Sequence, residues 1–153
     1  MYNYFVVVGL KTKHAEFIQS AIDKIIDQLQ VETFSKAYIA GSEDSQYPGE
    51  YINFAFQVSS DSNLAIFKKQ TSIIEQFFYI NGKKSVDLDI ILQMHAHDTL
   101  FSDPTINRYC HTLITLNDII PNQIVANQSI QERLSNHPNK GIFTEYLECH
   151  LQI

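Results

Sequence analysis

Two aspartates within one apolar segment are the residues of this chain best suited to chemistry. Asp87 and Asp89 alternate with Val86, Leu88 and Ile90, and the side chains of a β-strand alternate between its two faces. The two carboxylates would therefore share one face, about 6.5–7 Å apart at the backbone, close enough to converge on a hard cation. Mg²⁺ is the natural candidate, because it takes one or two carboxylates and completes its shell with water and substrate phosphates. The pattern leaves one alternative open, a solvent-facing strand with two exposed aspartates.

A second group of metal-binding residue types follows a few residues later, as His95, His97 and Asp98. In an extended segment the two histidines share a face, as in the HxHxD-type openings of metal-dependent hydrolases. No convincing set of further ligands follows at a useful spacing, so a solvated loop is the alternative interpretation. The motifs GxxxxGK[ST], GxGxxG and GxSxG are absent, which argues against a P-loop kinase, a Rossmann dehydrogenase and an α/β-hydrolase.

Hydrophobic periodicity predicts the elements that would position these residues. Strands are expected at residues 2–9, 31–39, 50–59 and 86–92, and helices at 13–29 and from Asp61 or Ser62 to about 78. The turn-rich segment 41–49 and the polar segment 94–105 are expected to be loops. A mostly apolar segment covers 110–120, and the tail from Asn127 is expected to be helical to about Leu134.

This order, β-α-β-β-α-β, predicts an α+β fold of the ferredoxin-like type. In that fold an antiparallel sheet carries its helices on one face, and here a C-terminal helical tail would follow. We expect one domain over residues 1–153, because no repeat or low-complexity tract interrupts the sequence. Because strand 50–59 alternates, Ile52 and Phe54 would share one face, while Tyr51 and Asn53 take the other.

Composition excludes several classes of function. The chain of 153 residues has 11 Lys and Arg against 17 Asp and Glu, a net charge of −6. With only two arginines, Arg108 and Arg133, it has no electrostatic footprint for nucleic acid or an anionic membrane. No transmembrane segment or signal peptide is expected. Since Cys110 and Cys149 lie in no CxxC motif, a disulfide framework is not expected and a cytoplasmic location is the default.

Several segments resemble one enzyme family in order and spacing. Residues 85–92, SVDLDIIL, resemble the T-L-D-L-D-I-L-L signature of the 6-hydroxymethyl-7,8-dihydropterin pyrophosphokinases of folate biosynthesis. Residues 50–53, EYIN, resemble the family's D-Y-L-N strand, and the following helix carries an I-E pair at 74–75 as in the family. Residues 113–121, LITLNDIIP, resemble L-x-P-L-x-E-I-A-P. The resemblance covers roughly residues 3 to 125.

The resemblance implies a Mg²⁺-dependent transfer of pyrophosphate from ATP to the pterin hydroxymethyl group, with release of AMP. Asp87 and Asp89 would be the catalytic pair and would hold two Mg²⁺ ions. The residues expected on the pterin side are Tyr51, Asn53 and His111. The residues expected on the nucleotide side are Glu75, Lys83, Lys84 and Arg108. The partners would be small molecules, ATP and a pterin alcohol, and the protein would be a monomer or a weak homodimer.

The chain also departs from the family pattern. Where the family has G-S-N-L, T-P-x-L, W-G-P-R and P-H-P-R, this chain has GLKT at 9–12, AGSE at 40–43, NGKK at 81–84 and SDPT at 102–105. Lysine supplies charge to a phosphate but not the planar, bidentate fork of arginine. Two alternatives to an active pyrophosphokinase therefore stay open. One is a non-catalytic relative that binds a pterin, a nucleotide or a protein, and the other is a metallohydrolase that uses His95 and His97.

Overall fold

A computed structural model of the chain describes all of residues 1–153. The strands are β1 (Tyr2–Lys11), β2 (Val31–Phe34), β3 (Tyr38–Gly41), β4 (Glu50–Ser60), β5 (Tyr79–Ile80), β6 (Lys83–Lys84), β7 (Asp87–His95), β8 (Asp98–Ser102), β9 (Ile124–Val125), β10 (Gln128–Ser129) and β11 (Thr144–Glu145). The α-helices are α1 (Ile18–Gln28), α2 (Leu64–Gln76), α3 (Cys110–Asn117) and α4 (Ile130–Ser135), and short 3₁₀ segments cover Thr12–Phe17 and Lys140–Ile142. None of the helices is long and apolar enough to cross a membrane.

One antiparallel sheet organises the molecule. Its strand order is β11-β3-β4-β1-β7-β8, and β2 also pairs with β4. The predicted β-α-β-β-α-β order is therefore confirmed in β1, α1, the β2–β3 pair, β4, α2 and β7. The predicted second strand is broken at Ser35, whose hydroxyl accepts a hydrogen bond from Ala55 N at 2.7 Å. That side chain takes the place of a ladder partner and lets the strand bend.

The first face of the sheet carries α1 and α2, as predicted. Alternate residues of β1 and β4, such as Val8 and Phe54, are fully buried against these helices. Tyr4 stacks on Phe67 of α2 with ring centroids 3.9 Å apart. The cap of α2 is Asn63, whose side chain accepts from Ile66 N, and not Asp61 or Ser62.

The second face is covered by α3 and α4, so the expectation that the helices occupy one face only is wrong. A separate apolar cluster joins Val7 and Ala55 of the sheet to Leu113 and Leu116 of α3 and to Ile130 of α4. The sheet can be covered on both faces because β1, β4 and β7 present apolar residues to each. Where α3 and α4 do not cover the second face, polar residues of these strands, Asn53, Asp87 and Asp89, line a cavity.

Two further expectations are corrected. Segment 94–105 is not simply a polar loop, because β7 continues to His95 and turns into β8 through Ala96, which has φ 53°. The C-terminal tail is not helical overall. The six-residue helix α4 ends before Pro138, which cannot continue a helix. A short 3₁₀ segment follows at Lys140–Ile142, and β11 adds a short strand beside β3.

Candidate functional site

A cavity of about 560 Å³ opens on the second face of the sheet. Its floor is formed by β1, β4 and β7, and its walls are formed by loop 41–49 and by the beginning of α3. Most of the site residues predicted from the sequence line this cavity, namely Tyr51, Asn53, Lys84, Asp87, Asp89 and His111. Residues that lie up to 60 positions apart in the chain are therefore gathered into a single cleft.

Strand register places the polar residues of the floor side by side. Asn53 of β4 lies opposite Gly9 of β1, and Gly9 lies opposite Asp87 of β7. Asp89 lies opposite Val7, two residues further along and therefore on the same face. The predicted convergence of the two aspartates on one face is present, and the amide of Asn53 lies across a single strand from them.

Beneath the aspartates lies a third carboxylate. Glu75 of α2 is 5% exposed, and its Oε2 accepts a hydrogen bond from Leu88 N at 2.9 Å. Lys84 Nζ bridges this carboxylate and that of Asp87, at 3.2 Å from Glu75 Oε2 and 3.2 Å from Asp87 Oδ1. One ammonium thus faces three carboxylates, because no other cation lies within ion-pairing distance of them. The cluster carries an excess of negative charge.

This excess changes the proton affinity of the cluster. Asp89 remains open to the solvent of the cleft, but the protein atoms around it and the charges of Asp87 and Glu75 raise its pKa to about 7. Burial and the contact with Asp87 also raise the pKa of Glu75, against the opposing effects of the Leu88 N–H and Lys84. Burial disfavours the charged form of Lys84, but the carboxylates of Asp87 and Glu75 outweigh it and raise the pKa of the ammonium. A divalent cation would relieve this repulsion.

The amide side of the floor is held by a close approach of two strands. Asn53 Nδ2 donates a hydrogen bond to Val8 O at 3.2 Å, so the side chain has a fixed position while its amide oxygen has no donor within the chain. A Cβ at position 9 would lie 3.0 Å from this Nδ2, so any residue larger than glycine there would push the amide of Asn53 from its position. Tyr51 follows on the same face and extends the floor. A neutral, planar, hydrogen-bonding surface thus lies beside the acidic one.

The wall opposite is tied together by one buried glutamate. Glu43 of loop 41–49 accepts hydrogen bonds from Cys110 N at 2.8 Å, from His111 N at 3.1 Å and from Asn139 Nδ2 at 3.2 Å. It also lies 3.1 Å from His111 Nδ1, and its side chain is 3% exposed. Burial opposes the charge of Glu43, but these donors outweigh it and lower the pKa to about 2. Glu43 therefore fixes loop 41–49 to the N-terminus of α3.

Two aromatic rings and a second carboxylate complete this wall. Tyr109 and His111 stack with their ring centroids 5.2 Å apart and an interplanar angle of 16°. Asp44 accepts a hydrogen bond from Tyr109 Oη at 2.8 Å and pairs with Arg108 at 3.4 Å. The wall thus offers an aromatic surface, and the neighbouring Arg108 already has a carboxylate partner.

Three of the predicted site residues do not line the cavity. Glu75 lies beneath the aspartates, Lys83 is exposed in β6, and Arg108 lies outside the wall. Sequence reasoning missed Glu43 and Tyr109, because only a contact across 67 residues brings Glu43 to α3. No local pattern in the sequence carries that information.

The second metal-binding hypothesis finds no set of ligands in the structure. His95 and His97 are both exposed at the turn between β7 and β8, far from the lining of the cavity. Nowhere does the chain bring together three or more His, Cys, Asp or Glu side chains in a group that could hold a metal ion. Zn²⁺ sites of hydrolases use three protein ligands, and the chain brings no third ligand to His95 and His97.

Comparison with solved structures shows which known fold this is. The chain superposes on crystal structures of Plasmodium falciparum HPPK-DHPS, where HPPK denotes hydroxymethyldihydropterin pyrophosphokinase. For the wild-type protein with SDX-DHP, the TM-score is 0.70 at 10% sequence identity, over 95% of this chain and 47% of that one. The chain has an HPPK-like fold. The resemblance noted in residues 85–92 is thereby supported by an independent comparison of backbones.

Other structures of Plasmodium falciparum HPPK-DHPS give the same result. The wild type with pteroate matches with a TM-score of 0.66 at 12% identity, over 88% of this chain and 42% of that one. The A437G/K540E variant with pterin and p-hydroxybenzoate matches with a TM-score of 0.67 at 10% identity, over 88% and 43%. The chain thus spans less than half the length of these proteins, in agreement with their HPPK part. No protein-family model matches the chain, and no curated protein sequence matches it.

Proposed function

We propose that the chain is a pyrophosphokinase that transfers the diphosphate of ATP to the hydroxymethyl group of 6-hydroxymethyl-7,8-dihydropterin, with Mg²⁺ as cofactor. One observation carries the proposal. Asp87 and Asp89 share a cleft with Asn53 and Tyr51 in an HPPK-like fold, and these are the positions that resemble the family's metal and pterin residues. The cavity of about 560 Å³ is of the size that small-molecule sites have.

The donor set fits Mg²⁺. Two carboxylates two residues apart on β7 face the same cavity, and Mg²⁺ uses one or two carboxylates and takes its other ligands from water and phosphates. The cluster of Asp87, Asp89 and Glu75 has one ammonium, that of Lys84, to balance its charge. When bound, the ions would neutralise charge on the transferred phosphoryl groups. Asp87 and Asp89 would hold them, and Glu75 would support β7 from beneath.

The floor and the aromatic wall suit a flat heterocycle. Asn53 offers an amide oxygen that lacks a donor in the chain, in a position fixed by its bond to Val8. An amide can accept from ring N–H groups and donate to ring carbonyls, while Tyr51, Tyr109 and His111 supply aromatic surface. Holding the hydroxymethyl group between Asn53 and the aspartates would place it beside the phosphates. Positioning of this kind supplies much of the rate in phosphoryl transfer.

The nucleotide side is the part of the cleft that differs most from the family. Lys84 is the only lysine or arginine that lines the cleft, and it is paired with Asp87 and Glu75. The cleft therefore presents no unpaired cation to the phosphates of a nucleotide. This pairing favours a second candidate function, a relative that binds a pterin without turnover. Charge-assisted contacts contribute about 1.5–3 kcal/mol each, so losing several would weaken ATP binding by orders of magnitude.

Release of AMP distinguishes the two functions. The purified chain would be incubated with ATP, Mg²⁺ and 6-hydroxymethyl-7,8-dihydropterin, and AMP would be measured by chromatography. We expect pterin-dependent AMP from the wild type and none from Asp87→Ala or Asp89→Ala. Asp98→Ala is the matched control, because Asp98 is an exposed aspartate outside the cavity, and it should retain wild-type activity. If the folded wild type binds the pterin but releases no AMP, the second candidate function is correct.

A further inference from the structure

A second hollow lies behind the wall of the cleft, between the N-terminal end of α3 and the C-terminal end of α4. It measures about 440 Å³. The residues that line it are Asn107, Arg108, Leu113, Gln128, Arg133, Asn136, His137, Pro138 and Asn139. Both arginines of the chain are in this set, and it contains no aspartate or glutamate. In a chain with a net charge of −6, such a concentration of cations without acids is unexpected.

Arg133 is the unusual member of this group. It is 7% exposed, yet it forms no ion pair with any carboxylate in the chain. Its Nη1 donates to Asn107 Oδ1 at 2.6 Å and its Nη2 donates to the carbonyl of Val125, so the partners are neutral. Its Nε has no partner at all. A buried charge is costly unless an opposite charge accompanies it, and the chain itself provides none.

The remaining lining supplies the donors that an anion needs. Arg108 is 61% exposed and has a single carboxylate partner, Asp44, at 3.4 Å, so most of its N–H groups face solvent. Asn136 and Gln128 add side-chain amides, which donate as well as accept. Guanidinium groups match the geometry of phosphate oxygens. We propose that this hollow binds a phosphate-sized oxyanion, either free phosphate or the phosphate group of a small molecule.

This site is separate from the acidic cleft, although the two share a wall. Arg108 reaches across it to Asp44, and Asn139 donates to Glu43 at 3.2 Å. None of the residues that line the hollow lines the cleft. The proposal therefore does not depend on the proposed pyrophosphokinase activity. Because the test uses EDTA and no ATP, its outcome is also independent of that activity.

Titration with inorganic phosphate, followed by ¹H–¹⁵N NMR in EDTA, tests the site. We expect saturable shifts centred on the amides of residues 107–108, 128, 136–137 and 139. Arg108→Gln should weaken the affinity at least about tenfold, as for loss of one charge-assisted contact. Lys69→Gln removes an equal charge from an exposed position of α2, on the other face of the sheet, so this control should bind as the wild type. Arg108 was chosen because Arg133 also supports the fold through Val125 and Asn107.

Three results would overturn the proposal. They are the absence of saturable shifts, shifts equally produced by chloride at the same ionic strength, and an equal loss of affinity in Arg108→Gln and Lys69→Gln. A parallel titration with AMP in EDTA separates the two sources of the oxyanion. Tighter binding of AMP at the same residues assigns the site to a phosphomonoester, and tighter binding of phosphate assigns it to the free ion.

Discussion

Replacing Glu43 with glutamine should destabilise the protein by an amount that depends on pH. The carboxylate accepts from two backbone N–H groups at the start of α3 and from the side chain of Asn139. The N-cap residue of that helix, Tyr109, makes no side-chain hydrogen bond that caps it. The pKa of Glu43 is about 2 in the folded chain, against an ordinary value of 4.5. This difference corresponds to about 3 kcal/mol of stability at neutral pH.

The direction of this pH dependence follows from the linkage between proton binding and folding. A carboxyl whose pKa is depressed by folding stabilises the folded state above its unfolded pKa, and this stabilisation is lost as the pH falls towards the folded value. Glu43→Gln should therefore cost about 3 kcal/mol at pH 7 and only about 2 kcal/mol at pH 3.5. Glu16→Gln is the control, because Glu16 is exposed and makes no side-chain bond, and it should change stability by less than about 0.5 kcal/mol.

Urea unfolding of the three proteins at both pH values provides the measurement. The difference in the free energy of unfolding between the wild type and Glu43→Gln cancels the contributions of the other titrating groups, so it isolates the contribution of this carboxylate. If that difference is below about 1 kcal/mol at pH 7, or does not shrink on acidification, then Glu43 does not hold the wall of the cleft as described.

The remaining predictions concern the floor of the cleft. Gly9→Ala would place a Cβ 3.0 Å from Asn53 Nδ2 and displace that amide. Pterin binding, measured by fluorescence, should weaken about tenfold because one hydrogen bond between Asn53 and the pterin is lost. A Cβ at Gly141, which lies outside the cavity, meets no atom within 4 Å, so Gly141→Ala should leave binding unchanged; equal losses in both variants would contradict the reasoning. In metal-free buffer, Asp89→Asn should raise Tm, and by more at pH 8 than at pH 5. The pKa of Asp89 is raised to about 7 by its surroundings and by Asp87, so the stability of the wild type is lost as pH rises through 7; a smaller gain at pH 8 would refute this.

The sequence allowed the central strands of the fold, and the shared face of Asp87 and Asp89, to be predicted for a local reason. Apolar alternation in β4 and the position of Asp87 and Asp89 between apolar neighbours specify which face each side chain takes. Once β4, β1 and β7 are adjacent, their registers bring Asn53 and the aspartates together. Local patterns thus sufficed for the floor of the cleft.

The walls could not be predicted, because they depend on tertiary contacts. Loop 41–49 has an ordinary turn composition, and only its distant contact with α3 gives Glu43 a role. Segment 94–105 contains polar residues typical of a loop, but pairing with β7 makes part of it a strand. Likewise, the apolar residues of α3 predicted burial but could not show that they cover the second face of the sheet.

The central claim is that Asp87 and Asp89 bind divalent cations together with a nucleotide, and counting those ions tests it most directly. Mn²⁺ in place of Mg²⁺ can be counted by EPR in the presence of a non-hydrolysable ATP analogue. We predict two ions per wild-type chain, as in two-metal phosphoryl-transfer sites, at most one for Asp89→Asn, and wild-type binding for Asp98→Asn. Equal binding by wild type and Asp89→Asn would contradict the assignment of the cleft as the metal and nucleotide site.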